Sequence, residues 1–473
     1  MVFIGFNGPK VTASLYCIGL TLAALLTGCN FNSDSAINEI VEKVDTIIDG
    51  HLSVTLMPLS KAFTRTSVNT SIFRTSPIVS DSNYQFVAYY DEDGYITIGK
   101  RQIDSVEWEI VKTNIRGDCA KAEKGAYYAD AHKVISLGLD GEGYLHMCND
   151  MHATKLLYRR SIAPYSCSFG ELKNMISPEE EQSTTYPEFH RLKNGDLLFA
   201  YRWRGQLVLN EYSIQSHKWS RKGGPNIIAV ENAFSVYWQM CIDKSDRIHL
   251  SWLWRENPNG DPESNHNLYY AVSDDGGIWK NSKGKNYQLP IVHNTAELAW
   301  EILEGHDYMN QTSMVVTQDG NPYVATYWRD EDSNVPQYRT VWHKNGKWYM
   351  SKVGNRMLPF RLSGSLHEGG ATLRVPISRP KIVVDQENGR GLLLFRDKER
   401  GEVVSLAYCQ DISKPEWIIT DLTSFSVGAW EPAIDEDRWK KEGVLDVYVQ
   451  KTYGEGVPKV DSEMAYILEV KWN

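Results

Sequence analysis

From about residue 52 onward, apolar residues alternate with polar ones in short runs broken by Gly, Asp and Asn clusters. That period of two is the signature of half-buried strands joined by tight turns. The runs repeat as a unit: a short apolar strand, a turn, then a second strand rich in aromatics. HKVISLGLDGEGYLHMCND, YPEFHRLKNGDLLFAYRW, WQMCIDKSDRIHLSWLWR, QTSMVVTQDGNPYVATYWRD and RPKIVVDQENGRGLLLFRD all follow it. A third strand follows in most units (KLLYRRS, QLVLNEYS, NLYYAVSDD, QYRTVWH, VVSLAYCQD), and a weaker fourth in some, such as KWYMSKV and EWIITDL. Units open near residues 76, 132, 185, 236, 311, 379 and 431. Seven such units predict an all-β, seven-bladed β-propeller over residues 52–473, in which radial repetition protects sheet edges. A two-sheet sandwich is the competing fold, and the regular spacing of the units argues against it. The last unit lacks a clear fourth strand, which the stretch around HLSVTLMP or TSIFR is placed to supply, closing the ring.

Ahead of the strands the pattern differs. Ile37, Ile40, Val41, Val44, Ile47 and Ile48 recur at helical spacing, predicting a short amphipathic helix within a linker over residues 29–51. Residues 1–28 read as a processing signal: Lys10, the apolar run VTASLYCIGLTLAALL, then Leu26-Thr27-Gly28-Cys29. The run is shorter than the roughly 20 residues a membrane span needs. It resembles a bacterial lipoprotein signal, which implies lipidation of Cys29 and, with Asn30 after it, an exported protein held at the outer membrane or cell surface of a Gram-negative bacterium.

The 473-residue chain has a formal net charge of -10, which argues against a nucleic-acid binder but leaves room for a local arginine cluster facing an anionic ligand. Its 15 Trp and 26 Tyr suit packing between sheets and equally suit stacking on sugar rings. Besides Cys29, the mature chain would keep Cys119, Cys148, Cys167, Cys241 and Cys409, an odd number at irregular spacing with no disulfide framework. SDDGGIWK carries Ser273, Asp275, Gly277 and Trp279 and resembles the Asp-box of sialidase-type repeats, with Ile278 where Thr is usual; that motif is a structural turn.

Hairpin register brings chemistry to one rim. A turn centred on Glu142 sets His132 opposite His152, and one centred on Asn194 sets Tyr186 opposite Arg202. Both pairs lie away from the tight turns, on neighbouring blades. Arg204, Arg255, Asn310 with Arg329, and Arg379 with Arg396 fall at the same end as candidate substrate contacts. Imidazole and phenol suit proton transfer, and guanidinium suits a carboxylate clamp. That set fits β-elimination beside a uronate better than hydrolysis, which calls for two positioned carboxylates. Glu431 has no evident acidic partner.

The segments AHKVISLGLDGEGYLHMCNDMHATKLLYRRS, TTYPEFHRLKNGDLLFAYRW and NLYYAVSDDGGIW resemble the BNR-repeat polysaccharide lyases that include ulvan lyases. The resemblance implies cleavage of a sulfated rhamnose–uronate polymer, with His132 as essential histidine, Tyr186 as catalytic tyrosine, Arg202 as charge neutraliser and His152 as second histidine. Base and acid stay unassigned between His132 and Tyr186. Asp150-Met151-His152 stands where many relatives have Asp-His-His, so one histidine of that pattern is missing. The resemblance also implies a structural zinc, for which Cys241 and His249, opposite each other across a hairpin, and His266 are candidate ligands. A sialidase-type glycoside hydrolase and a non-catalytic glycan-binding propeller are the alternatives. No nucleotide-binding glycine loop is present, so no organic cofactor is expected, and the chain is expected to be a monomer.

Overall fold

Seven antiparallel sheets follow one another along the chain, each a blade built outward from a short inner strand. A computed structural model describes residues 44–48, 50–71, 76–120, 130–230, 235–256, 261–310, 312–362, 375–454 and 460–472. The signal segment 1–28 and Cys29 lie outside the described residues. The inner strands are Ile78–Ser80, Ile135–Leu139, Thr184–Arg191, Ser235–Ile242, Ser313–Val316, Lys381–Val384 and Leu445–Gln450. Six of them begin within three residues of the unit starts read from the pattern. In the seventh blade the strand starts later, because the helix Glu436–Glu442 precedes it. Asp435 caps that helix by accepting from the Arg438 amide, and Gly443 ends it at φ 65°.

The ring closes with strands from both ends of the chain. Leu52–Ala62 pairs antiparallel with the C-terminal strand Glu463–Trp472, from Leu52 opposite Trp472 onward. A buried charge network fastens this blade to the first: Arg101 lies 3.2 Å from Asp446, and Arg438 reaches both Asp446 (2.6 Å) and Glu469 (2.8 Å). Hydrogen-bonded pairing of this kind is what makes buried charge tolerable.

The expected N-terminal helix is corrected in part. Val44–Ile48 is a strand, paired with the Leu52–Leu56 stretch so that Ile48 meets Leu52; Ile37, Ile40 and Val41 lie outside the described residues. The β-branched run and the turn at Gly50, φ 75°, let cross-strand pairing override a helical period that spans barely three turns. The closing sheet therefore begins ahead of the boundary drawn at residue 52.

Aromatic residues fill the spaces between blades, with Trp238, Trp252, Trp254, Trp279 and Trp430 essentially inaccessible. The SDDGGIWK turn forms as its motif requires. Ser273 Oγ accepts from the Gly276 amide at 2.9 Å, Asp275 accepts from the amides of Gly277 and Ile278, and the Trp279 indole donates to the Gly276 carbonyl.

Candidate active site

His132 and His152 meet as the hairpin register requires. Ile135 faces Asn149 at the last pair of their sheet, and the chain beyond it brings the two imidazoles face to face, 4.1 Å between ring centres and 15° from parallel. A residue the sequence reading missed holds them there. Asp130 Oδ1 accepts from the His132 backbone amide (2.9 Å) and lies 2.8 Å from His132 Nδ1, while its Oδ2 lies 2.5 Å from His152 Nδ1. Burial raises the Asp130 carboxyl, but the two imidazoles outweigh it and hold it well below the usual range. Burial also lowers His132 to about 4, with Asp130 pulling the other way. His132 is thus neutral over the ordinary working range.

Tyr186 and Arg202 come together, though not as a facing pair. Thr185 is opposite Arg202 and Glu188 opposite Ala200, so Tyr186 and Pro187 form a bulge in the inner strand. Tyr186 sits at φ 60°, a left-handed conformation costly for an aromatic residue and of the kind that collects at functional sites. The bulge swings the ring under Arg202, whose Cζ lies 4.5 Å from the ring centre, and 6.1 Å from His132. Burial pushes the Tyr186 phenol up to about 12, with Arg202 opposing. Its hydroxyl stays protonated at any ordinary pH.

Tyr237 completes the pocket and was also missed. It is the third residue of the next inner strand, as Tyr186 is of its own, which is the signal that identifies it. Arg202 and Arg255 lie 5.2 and 4.5 Å from its ring centre. Burial raises this phenol too, but Arg255 and Arg202 outweigh it and the net shift is downward. Both phenols share the Arg202 charge, which opposes the effect of burial at each. Arg202 Nη1 is buried and makes no hydrogen bond within the described protein. A buried guanidinium donor left unsatisfied is costly, and an incoming carboxylate would satisfy it.

The other rim candidates divide. Arg204 is exposed, at φ 50°. Arg255 is buried and spans Asn265 (2.8 Å) and Asn310 (2.5 Å). Arg329 is paired with Asp307 at 3.0 Å, Arg379 is buried against Glu431, and Arg396 donates to the carbonyls of Trp430 and Val375. These last three brace the rim through ion pairs or carbonyl contacts with their own chain.

The zinc candidates do not converge. Cys241 does face His249, but His249 Nδ1 is taken by Tyr270 Oη (2.7 Å) and its Nε2 by Asp243 (3.2 Å). Along the next strand His249 faces Val272 whereas His266 faces Trp254, six residues away, too far for one ion. His266 instead joins Glu256 and His293, whose ligand atoms all lie within 4.8 Å of one another.

The family model described as BNR repeat-containing family member matches residues 84–356, more than half of the chain. Over 192 residues the chain is 29% identical to "Ulvan lyase, short isoform" of Alteromonas sp. (strain LOR), covering 36% of this chain and 36% of that protein. The chain thus spans about a third of the length of the curated relative it matches. Among solved structures, the polysaccharide lyase Uly1 superposes with a TM-score of 0.65 at 14% identity, over 88% of this chain and 99% of that one. A PL25 ulvan lyase bound to -[GlcA(1-4)Rha3S]- superposes with a TM-score of 0.62 at 15% identity, over 86% and 94%. At these identities the likeness establishes the propeller.

Proposed function

The chain belongs to the BNR repeat-containing family, and from that premise we propose that it is a polysaccharide lyase cleaving a sulfated, uronate-containing polymer, ulvan foremost. The observation that carries the reading is the buried Arg202 Nη1, which has no hydrogen-bond partner among the described residues, in a guanidinium set against Tyr186, whose ring lies 6.1 Å from His132. The 29% identity to an ulvan lyase supports the choice of polymer.

In this reading Arg202 grips the uronate carboxylate and stabilises the charge that spreads onto it when the C5 proton leaves. His132, neutral because burial lowers it, takes that proton. The C5–H electron pair becomes the C4–C5 double bond, the C4–O bond breaks, and the Tyr186 phenol donates its proton to the departing oxygen. Proton return from His132 to Tyr186 through solvent resets the site. Tyr186 suits the acid because its proton is held to about pH 12. Arg204, which is exposed, extends the cationic surface toward sulfate and neighbouring uronate groups, and the buried Arg255 adds positive charge beside the Tyr237 ring.

Hydrolysis of sialidase type finds less support. Glu431 is bound up with Arg379, Asp307 with Arg329, and Asp130 with the two histidines. Incubation with ulvan is expected to raise ultraviolet absorbance in the band of an unsaturated uronate, in step with new reducing ends. Reducing ends without absorbance would favour hydrolysis, and binding without either would favour a glycan-binding propeller.

A structural zinc is proposed at Glu256, His266 and His293, a carboxylate and two imidazoles of a kind zinc accepts. It would pin the strand Asn265–Ser273 to the loop carrying His293. About one zinc per chain is expected in the purified protein, with chelation lowering the melting temperature while Cys241→Ser and His249→Gln leave zinc content unchanged. Metal-free protein of the same melting temperature would remove the proposal. The exported, lipid-anchored placement through Cys29 rests on the N-terminal sequence.

A further inference from the structure

We propose that Asp130 is a positioning residue that sets the tautomer of both active-site histidines, so that His132 and His152 each turn an unprotonated Nε2 away from the shared carboxylate. The inference rests on the lyase reading for its consequence in catalysis, but its geometry stands by itself.

One carboxylate meets two rings, Oδ1 against His132 Nδ1 and Oδ2 against His152 Nδ1. An ionised carboxylate only accepts, so each Nδ1 must carry a hydrogen. A neutral imidazole with hydrogen on Nδ1 has its lone pair on Nε2. The stack at 4.1 Å holds the rings within 15° of parallel while both Nδ1 atoms meet the same carboxylate. Asp130 is itself aimed by the His132 backbone amide, which donates to the same Oδ1. The arrangement is a one-to-two version of the carboxylate that orients a catalytic histidine elsewhere. Its anionic charge also lets one of the two rings take a proton without leaving the cluster with net positive charge.

Among the described residues, the titratable and aromatic groups facing His132 are Asp130, His152, Arg202 and Tyr186. Of these only Asp130 is an anion, so its removal makes protonation of His132 harder. Asp130→Asn should therefore lower kcat by about 10- to 1,000-fold, within the range for a group that acts through a general base, while KM changes little. The acidic limb of the kcat/KM profile should move to lower pH in what activity remains. Asp130→Glu should recover part of kcat.

The decisive readout does not need turnover. Long-range proton–nitrogen correlation spectra of the wild-type protein, assigned with His132→Gln and His152→Gln, should show both rings as the Nδ1–H form. In Asp130→Asn at least one ring should lose that form. Both rings carrying hydrogen on Nε2 in the wild type would overturn the inference even if the enzyme is a lyase. Wild-type protein with Nδ1–H rings that leaves ulvan intact would instead defeat the lyase reading and keep the tautomer assignment. An unmoved acidic limb with unchanged kcat in Asp130→Asn would also overturn the role in catalysis.

Discussion

Tyr186→Phe is expected to lower kcat on ulvan by about 100- to 10,000-fold, the span measured for loss of a positioned general acid, with KM within a few-fold. The reason lies in how the site is built. The ring, 2% exposed, packs beneath Arg202 and beside Trp238 in a large apolar cluster, and phenylalanine keeps all of that packing. Only the hydroxyl is lost, and with it the proton for the leaving oxygen. Melting temperature and circular dichroism should be close to wild type, since the bulge at φ 60° is held by its neighbours. The pH dependence gives a second check. Because the phenol stays protonated to about pH 12 and His132 stays neutral above about pH 4, the wild-type profile should be broad. Activity should fall on the acid side as His132 gains its proton. A sharp loss near neutral pH, or near-normal activity in Tyr186→Phe, would contradict the assignment.

Arg202→Ala carries the second large effect. Removal of one preorganised donor from a developing anion typically costs about 100- to 1,000-fold in kcat. Here KM should rise as well, because the same guanidinium binds the ground-state carboxylate. Arg202→Lys should recover only a small part: it keeps the charge but not the planar fork that spans the Tyr186 and Tyr237 rings. Removing the cation should also raise the Tyr237 phenol, since burial would then be opposed by Arg255 and the Ser235 hydrogen bond without Arg202. Ultraviolet difference titration of the tyrosines reads that change directly. Full activity in Arg202→Ala would mean that the carboxylate is gripped elsewhere, with Arg204 or Arg255 the next groups to test.

How much of this was legible beforehand depends on the range of the interaction. Strand units, their spacing and the closing role of the HLSVTLMP stretch follow from local alternation and turn chemistry, and the sheets bear them out. Pairing of His132 with His152 and of Cys241 with His249 follows from hairpin register, which is fixed by a single turn. The bulge at Tyr186 shifted its pairing by one. Pro187, which has no amide hydrogen to offer a central strand, was the available warning. His266 was grouped wrongly with His249, though the same register arithmetic applied to the next hairpin separates them by six residues. The strand at Val44–Ile48 was hidden because its partner lies beyond a turn and its own period is short. Asp130 was out of reach for another reason. It precedes the strand, in no repeat position, and only the loop's path brings it between the two imidazoles.

Elimination is the central claim, and the mass of the products tests it most directly. Oligosaccharides released by the wild-type protein from the interior of ulvan chains should be one water lighter than the corresponding hydrolysis products, with the unsaturated uronate at the non-reducing end; only the piece carrying the polymer's original non-reducing end keeps the full mass. Interior products at the full hydrolytic mass would show that water adds across the cleaved bond, and would contradict the account.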